Sequence, residues 1–207
     1  MSLLKLLFRF LTCIYPYKLS QRIIGYRNTF YTLWIRNIIG HLGEHSRICG
    51  PCKLQGDGQK NISIGEYTTI LSCSILGCWI KYGGQKFPTA SITIGNHCSI
   101  GEYFHITACN KITIGDGLLT GRYVLISDNS HGCLSEKEAM IEPAKRELMS
   151  KGEIVIGNNV WLGDKVSILA GVHIGNNVVV AANAVVTKDI PDNCVAAGVP
   201  AFVVKKI

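Results

Sequence analysis

The first forty residues of this chain contain no acidic residue, although Lys5, Arg9, Lys18, Arg22, Arg27 and Arg36 all fall among them. The rest of the 207 residues is close to neutral, so the net charge of +7 belongs to one end. That placement argues against a nucleic-acid groove running through the protein. No signal-peptide cleavage pattern is visible, and nine cysteines is an odd number. Free thiols in a reducing cytoplasm are therefore expected. No metal site is expected. Cys49-Gly50-Pro51-Cys52 has the spacing of a redox dithiol, but that motif needs a strand-to-helix setting and here precedes a β repeat. Cys73, Cys98 and Cys109 lie in apolar repeating segments, where a thiol serves as a small hydrophobe. An apolar content of 47% excludes a disordered chain, and 22 glycines favour turns over long helices.

What is present is a repeat. From Ile156 the chain reads IGNNVW, LGDKVS, ILAGVH, IGNNVV, VAANAV, VTKDIP. An aliphatic residue opens each hexad, and the fifth place holds Val160, Val166, Val172, Val178, Ala184 and Ile190. The frame also appears as IGEYTT and ILSCSI from Ile64, and as IGNHCS, IGEYFH and ITACNK from Ile94. The marker I-x-I-G occurs at 62–65, 92–95, 112–115 and 154–157, and at 172–175 with Val172 in first place. A step of six fits neither an α-helix nor one long strand. It fits a short strand, a turn and another short strand, with the aliphatic residue inward and Gly or Asn in the turn conformation. Ile156 to Ile174 spans three hexads, enough to close one triangular coil that stacks on the next. A β-sandwich would place its turns every 8–12 residues instead.

The hexads, the segment Asn159-Val160-Trp161-Leu162-Gly163 and the ending Ala197-Gly198-Val199-Pro200-Ala201 resemble the hexapeptide-repeat acyltransferases. The nearest likeness is to polysaccharide O-acetyltransferases and maltose or galactoside acetyltransferases, over about residues 60–207. The resemblance implies an all-β, left-handed parallel β-helix of hexapeptide repeats with an N-terminal helical segment. It also implies a homotrimer with active sites between subunits, acetyl-CoA as donor, and a sugar or glycan acceptor. Loop insertions are expected at 76–91 and 127–153, the second a polar arm walling the acceptor site.

Residues 1–45 differ in kind from the β-helix domain expected over 46–207. Leu3 to Ile14 is almost wholly apolar, broken by Lys5 and Arg9, too short to span a bilayer, and ended by Pro16. Residues 18–39 read as one or two helices. One reading is a cap over the open edge of the first coil, which a β-helix needs. The other is a basic amphipathic segment resting weakly on anionic lipid, which would suit a lipid-linked acceptor at the cytoplasmic face of a membrane. Both can hold for different faces.

Of six histidines, His131 stands out by context, in Ser127-Asp128-Asn129-Ser130-His131-Gly132 where the coils break into the loop. Many relatives have Asp-His-x-His-Gly at this point; here Asn129 replaces the first His and His131 keeps the second. The resemblance implies that His131 is the general base. A sugar hydroxyl is a poor nucleophile near neutral pH, and an imidazole can take its proton and return it. Asp128 or a main-chain carbonyl would orient the ring. Ser130 and Cys133 flank His131, but neighbours on a turn do not make a nucleophile–base pair by default. Trp161 falls where relatives place an aromatic beside the active site, and packing at a coil corner is its plain alternative. Gly163, Ala181 and Ala182 offer the small side chains and main-chain donors that suit a pantetheine arm, and Lys188 and Lys205 the cations that suit its phosphates; Ala182 and Thr187-Lys188 match the family's coenzyme A positions, and Lys205 stands where relatives often carry Arg. Each lysine has solvation as its ordinary role. A γ-class carbonic anhydrase shares the fold, but its H-x4-H pair is absent. An antibiotic acetyltransferase and a non-catalytic scaffold are the competing functions.

Overall fold

A computed structural model of the chain describes residues 2–132 and 135–207, with the backbone alone for Lys137. The hexad pattern becomes a prism with three parallel sheets as its sides. The first side joins His41–Leu42, Ile62–Ile64, Ser91–Ile94, Lys111–Ile114, Ile154–Ile156 and His173–Ile174, and every I-x-I-G marker lies on it. The second runs from Arg47–Ile48 through Trp161–Leu162 and Val179–Val180, then ends in Cys194–Gly198 and an antiparallel Ala201–Lys206. The third runs from Cys52–Gln55 through Leu125–Ser127 and Ser167–Leu169 to Val185–Val186. Ile156 pairs in parallel with Ile174, so three hexads do close one coil. The architecture is the left-handed parallel β-helix. First and fifth places of the hexads point inward, as at Ile156, Val160, Leu162 and Val166, all at most 1% exposed. Burying an isoleucine or valine contributes about 1.5–3 kcal/mol, so the stacked column is the main source of stability.

The corners differ from expectation. The fourth place of the hexad takes positive φ at Asn159, Gly171, Asn177 and Asn183, but also at Tyr67, Cys73, His97, Tyr103, Tyr123 and Lys165. Cys73 is therefore exposed at a corner and is no core hydrophobe, unlike the buried Cys98 and Cys109. A left-handed residue with a Cβ costs roughly 1–2 kcal/mol. Stacking offsets it: ring centroids lie 4.7 Å apart for His45–Tyr67, 5.1 Å for Tyr67–His97 and 4.6 Å for Tyr103–Tyr123. Higher on the first corner asparagines take over, Asn177 Nδ2 donating to Asn193 Oδ1 at 2.9 Å. The marker glycine answers a different need. A Cβ on Gly157 would sit 2.8 Å from the Gly175 carbonyl of the next coil, so close approach of coils, not turn conformation, excludes a side chain there.

Two helices precede the coils: α1 (Leu3–Ile14) and α2 (Tyr17–Arg36). The C-terminal half of α2 covers the first coil. Ile35 and Ile39 join the core, and Thr32 Oγ1 both donates to the Ile48 carbonyl and accepts from its N–H, each at 3.1 Å. Arg36 donates to the Leu42 carbonyl at 2.7 Å and Arg27 to that of Gly50 at 3.1 Å. The coil edge that would otherwise template another strand is thus satisfied by side chains. The first coil strand, His41–Leu42, already lies within the segment assigned to 1–45.

The insertion expected at 76–91 starts later. Leu76 and Cys78 are buried in the strand Ser74–Cys78, which pairs on both sides, and the departure is a hairpin of Lys81–Tyr82 with Gln85–Lys86. At the second break Ser127 still closes its strand; beyond it come an antiparallel ribbon of Ser130–His131 with Leu148–Met149 and a short helix α3 (Glu136–Ala139).

Candidate active site

His131 is exposed on the ribbon at the base of the second arm. It borders a cleft of about 340 Å³ whose wall also includes Asn129, Gly132, Lys151, Ala170 and Thr187. The coil part of that wall comes from the third face and its corner, where Ser127 and Leu169 end successive strands. The imidazole meets the edge of Tyr82, with centroids 5.7 Å apart and planes at 67°. Tyr82 in turn meets Trp79 edge-on at 5.5 Å. The first hairpin is clamped to the second arm by one side chain: Gln85 Oε1 accepts from Leu148 N at 2.7 Å and Gln85 Nε2 donates to the Leu148 carbonyl at 3.2 Å. Leu148 is the residue opposite His131 in the ribbon. The two insertions are therefore tied together, although 63 residues separate Gln85 from Leu148.

Asp128, expected as an orienting group, is engaged elsewhere. Its fully buried carboxylate accepts from Cys109 N at 2.8 Å, from Asn110 N at 2.9 Å and from Asn129 Nδ2 at 3.1 Å. Burial pushes its carboxyl above the ordinary carboxylate range, against the pull of those donors. The same device recurs at other corners, where Asp164, Asp189 and Asp192 each accept a backbone N–H of a neighbouring coil at 2.7–2.8 Å. Asn129 is held by Thr107, its Nδ2 lying 3.2 Å from the Thr107 carbonyl and 3.4 Å from Oγ1. Cys133 lies outside the described residues.

The remaining expected residues divide between two places. Thr187 joins His131 at the cleft, with exposed Lys188 next to it in sequence. Trp161, Gly163, Ala181 and Ala182 line a separate groove of about 550 Å³ on the second face. Trp161 is therefore on a different side of the prism from His131 of the same chain. Gly163 also has a packing reason: a Cβ there would lie 2.6 Å from Ala182 N. Lys205 is exposed on the final strand, opposite Val195. Tyr82, Gln85 and Lys151 are not singled out by the sequence; the one signal toward them is that Tyr82 and Gln85 fall in the first break of the repeat and Lys151 in the second. Of the CxxC pair, Cys52 is buried and its thiol is pushed up to about 12, and burial raises the half-buried Cys49 thiol as well, so neither is activated.

The sequence profile described as bacterial transferase hexapeptide (six repeats) matches residues 153–188. The chain is 38% identical over 160 residues to WbbJ of Escherichia coli (strain K12), provisionally named a lipopolysaccharide biosynthesis O-acetyl transferase, over 75% of this chain and 76% of that protein. It is 35% identical over 121 residues to a protein of Lysinibacillus sphaericus provisionally named a macrolide acetyltransferase, over 58% of this chain and 63% of that one. A solved galactoside acetyltransferase in complex with coenzyme A matches with a TM-score of 0.56 at 30% identity, over 84% of this chain and 68% of that one. With the coils and the cleft in view, these likenesses decide the class: the chain belongs to the hexapeptide-repeat transferase family. Within that family it is an acyltransferase of the acetyltransferase kind.

Proposed function

We propose that the protein transfers acetyl from acetyl-CoA to a sugar hydroxyl, in the cytoplasm, during assembly of a surface polysaccharide, with His131 as general base. The observation that carries this is an exposed imidazole bordering a cleft at the base of the second insertion, in a chain 38% identical to WbbJ. The unprotonated ring nitrogen takes the hydroxyl proton while the oxygen bonds to the acetyl carbonyl carbon. Backbone N–H groups hold the oxyanion. The carbonyl re-forms as the C–S bond breaks, and the imidazolium returns its proton to the thiolate. Tyr82 fixes the ring from the acceptor side. Thr187 and Lys188 lie toward the donor, with the lysine meeting its phosphates.

The groove with Trp161, Gly163, Ala181 and Ala182 faces another side of the same chain, so a complete site needs a second copy. A three-fold trimer brings the His131 cleft of one copy to the Trp161 groove of the next. Light scattering should report three chains; a fully active monomer would remove the shared site. The likeness to a macrolide acetyltransferase supports a second reading, with the same base and donor and an antibiotic hydroxyl as acceptor. Turnover of acetyl-CoA with glycan and macrolide panels separates the two. Acetylation of glycans alone supports the first reading, and acetylation of macrolides alone overturns it.

A further inference from the structure

Every residue from Ser2 to Leu19 is exposed, and α1 contributes nothing to the core. On a helical wheel Lys5, Arg9 and Thr12 share one side of α1, and the apolar residues cover the rest. Leu3 is 86% exposed and Phe10 63%. The outer side of α2 continues the surface. Leu19, Ile23, Tyr26, Phe30 and Leu33 recur at spacings of four and three and are all exposed, while Thr32 and Ile35 on the inner side are buried. Arg27 and Arg36 are spent on carbonyls of the first coils, which leaves Lys5, Arg9, Lys18 and Arg22 facing outward.

We infer that this surface is a docking site for an anionic lipid bilayer, with the apolar side of α1 lying in the interface and α2 carrying the β-helix above it. The charge pattern selects this occupant over a second copy. No acid lies in residues 1–40 to answer the cations, so like copies would bring equal charges together, whereas an anionic headgroup layer pairs with all four. The shape agrees as well: the apolar arc of α1 is wider than a coiled-coil seam, and Tyr26, Phe30 and Trp34 suit the headgroup boundary. At about 1.5 Å per residue α1 is about 18 Å long, against a hydrocarbon core of about 30 Å, so it lies on the bilayer and does not cross it. No helix among the described residues is long and apolar enough to cross.

The test is sedimentation of the full chain with phosphatidylcholine vesicles, with and without phosphatidylglycerol, at low and high salt. Binding is the readout, so the outcome is independent of acyl transfer. The full chain should sediment with the phosphatidylglycerol vesicles at low salt and be released by high salt. With each cation contributing roughly fivefold, K5E/R9E should lower partitioning roughly 30-fold or more. L7E/F10E should also stay in the supernatant. Both variants should keep the melting temperature of the parent, because α1 buries nothing. Failure of the full chain to bind phosphatidylglycerol vesicles at low salt overturns the inference, as does equal binding by the variants. A fall in oligomer size for L7E/F10E without vesicle binding by the parent would assign the surface to contacts between copies.

Discussion

Replacing Asp128 with Ala removes the acceptor for two backbone donors of the neighbouring coil, Cys109 N and Asn110 N, and for Asn129 Nδ2. Each buried donor left without a partner costs about 1–3 kcal/mol, and bonds to a charged group lie at the upper end. Relief from burying the carboxylate returns part of this, so a loss of roughly 2–4 kcal/mol is expected. That is a large share of a typical stability of about 5–15 kcal/mol. Asp128→Asn keeps one acceptor but turns its amide toward a backbone N–H, and should cost about 1–3 kcal/mol. Urea unfolding should show lower midpoints at unchanged slope. In folded protein at low temperature, the pH profile of kcat should keep its shape, because the carboxylate supports the turn and not the ring. An Asp128→Asn protein of parental stability with a displaced kcat profile would refute the reasoning and restore Asp128 as the orienting group.

Burial pushes the thiols of Cys52, Cys78 and Cys109 up to about 12, against about 8.5 in an unfolded chain. Between these values the folded state keeps protons that the unfolded state has lost, so stability should be unaffected below about pH 8.5 and fall as pH rises beyond it. Thiol labelling at pH 8 mapped by mass spectrometry should modify exposed Cys13 and Cys73 and spare buried Cys52, Cys78, Cys98, Cys109 and Cys194. Gln85→Ala releases the hairpin from Leu148, so kcat should fall several-fold to tenfold with the melting temperature little changed; an unaltered kcat would mean that the hairpin does not serve the site. Gly163→Leu should impair folding or assembly, since even a Cβ meets the next coil; a normal melting curve with weakened coenzyme A binding would instead mark Gly163 as a donor contact alone.

The fold was legible because burial imposes a step of six on the chain. The markers at 62, 92, 112, 154 and 172 all fall on one face, and the two long steps, from 62 to 92 and from 112 to 154, locate the insertions. The corners were less legible, because stacking between coils lets Tyr67, His97 and Tyr103 hold a conformation usually left to Gly or Asn. His131 was visible as a histidine in a polar break. Its neighbours Tyr82 and Gln85 were not, since their proximity depends on two insertions folding toward each other. Asp128 misled by its place in the sequence: three residues from His131, it points to the preceding coil. The division of the expected donor residues between two faces likewise depends on the winding of the coil, which no local motif records.

The most direct measurement is acetyl transfer from acetyl-CoA to a glycan acceptor by the full chain and by His131→Ala. Loss of a general base should lower kcat by roughly 10²–10⁴, with coenzyme A affinity and the melting curve close to those of the parent. Near-normal turnover by the variant would contradict the account.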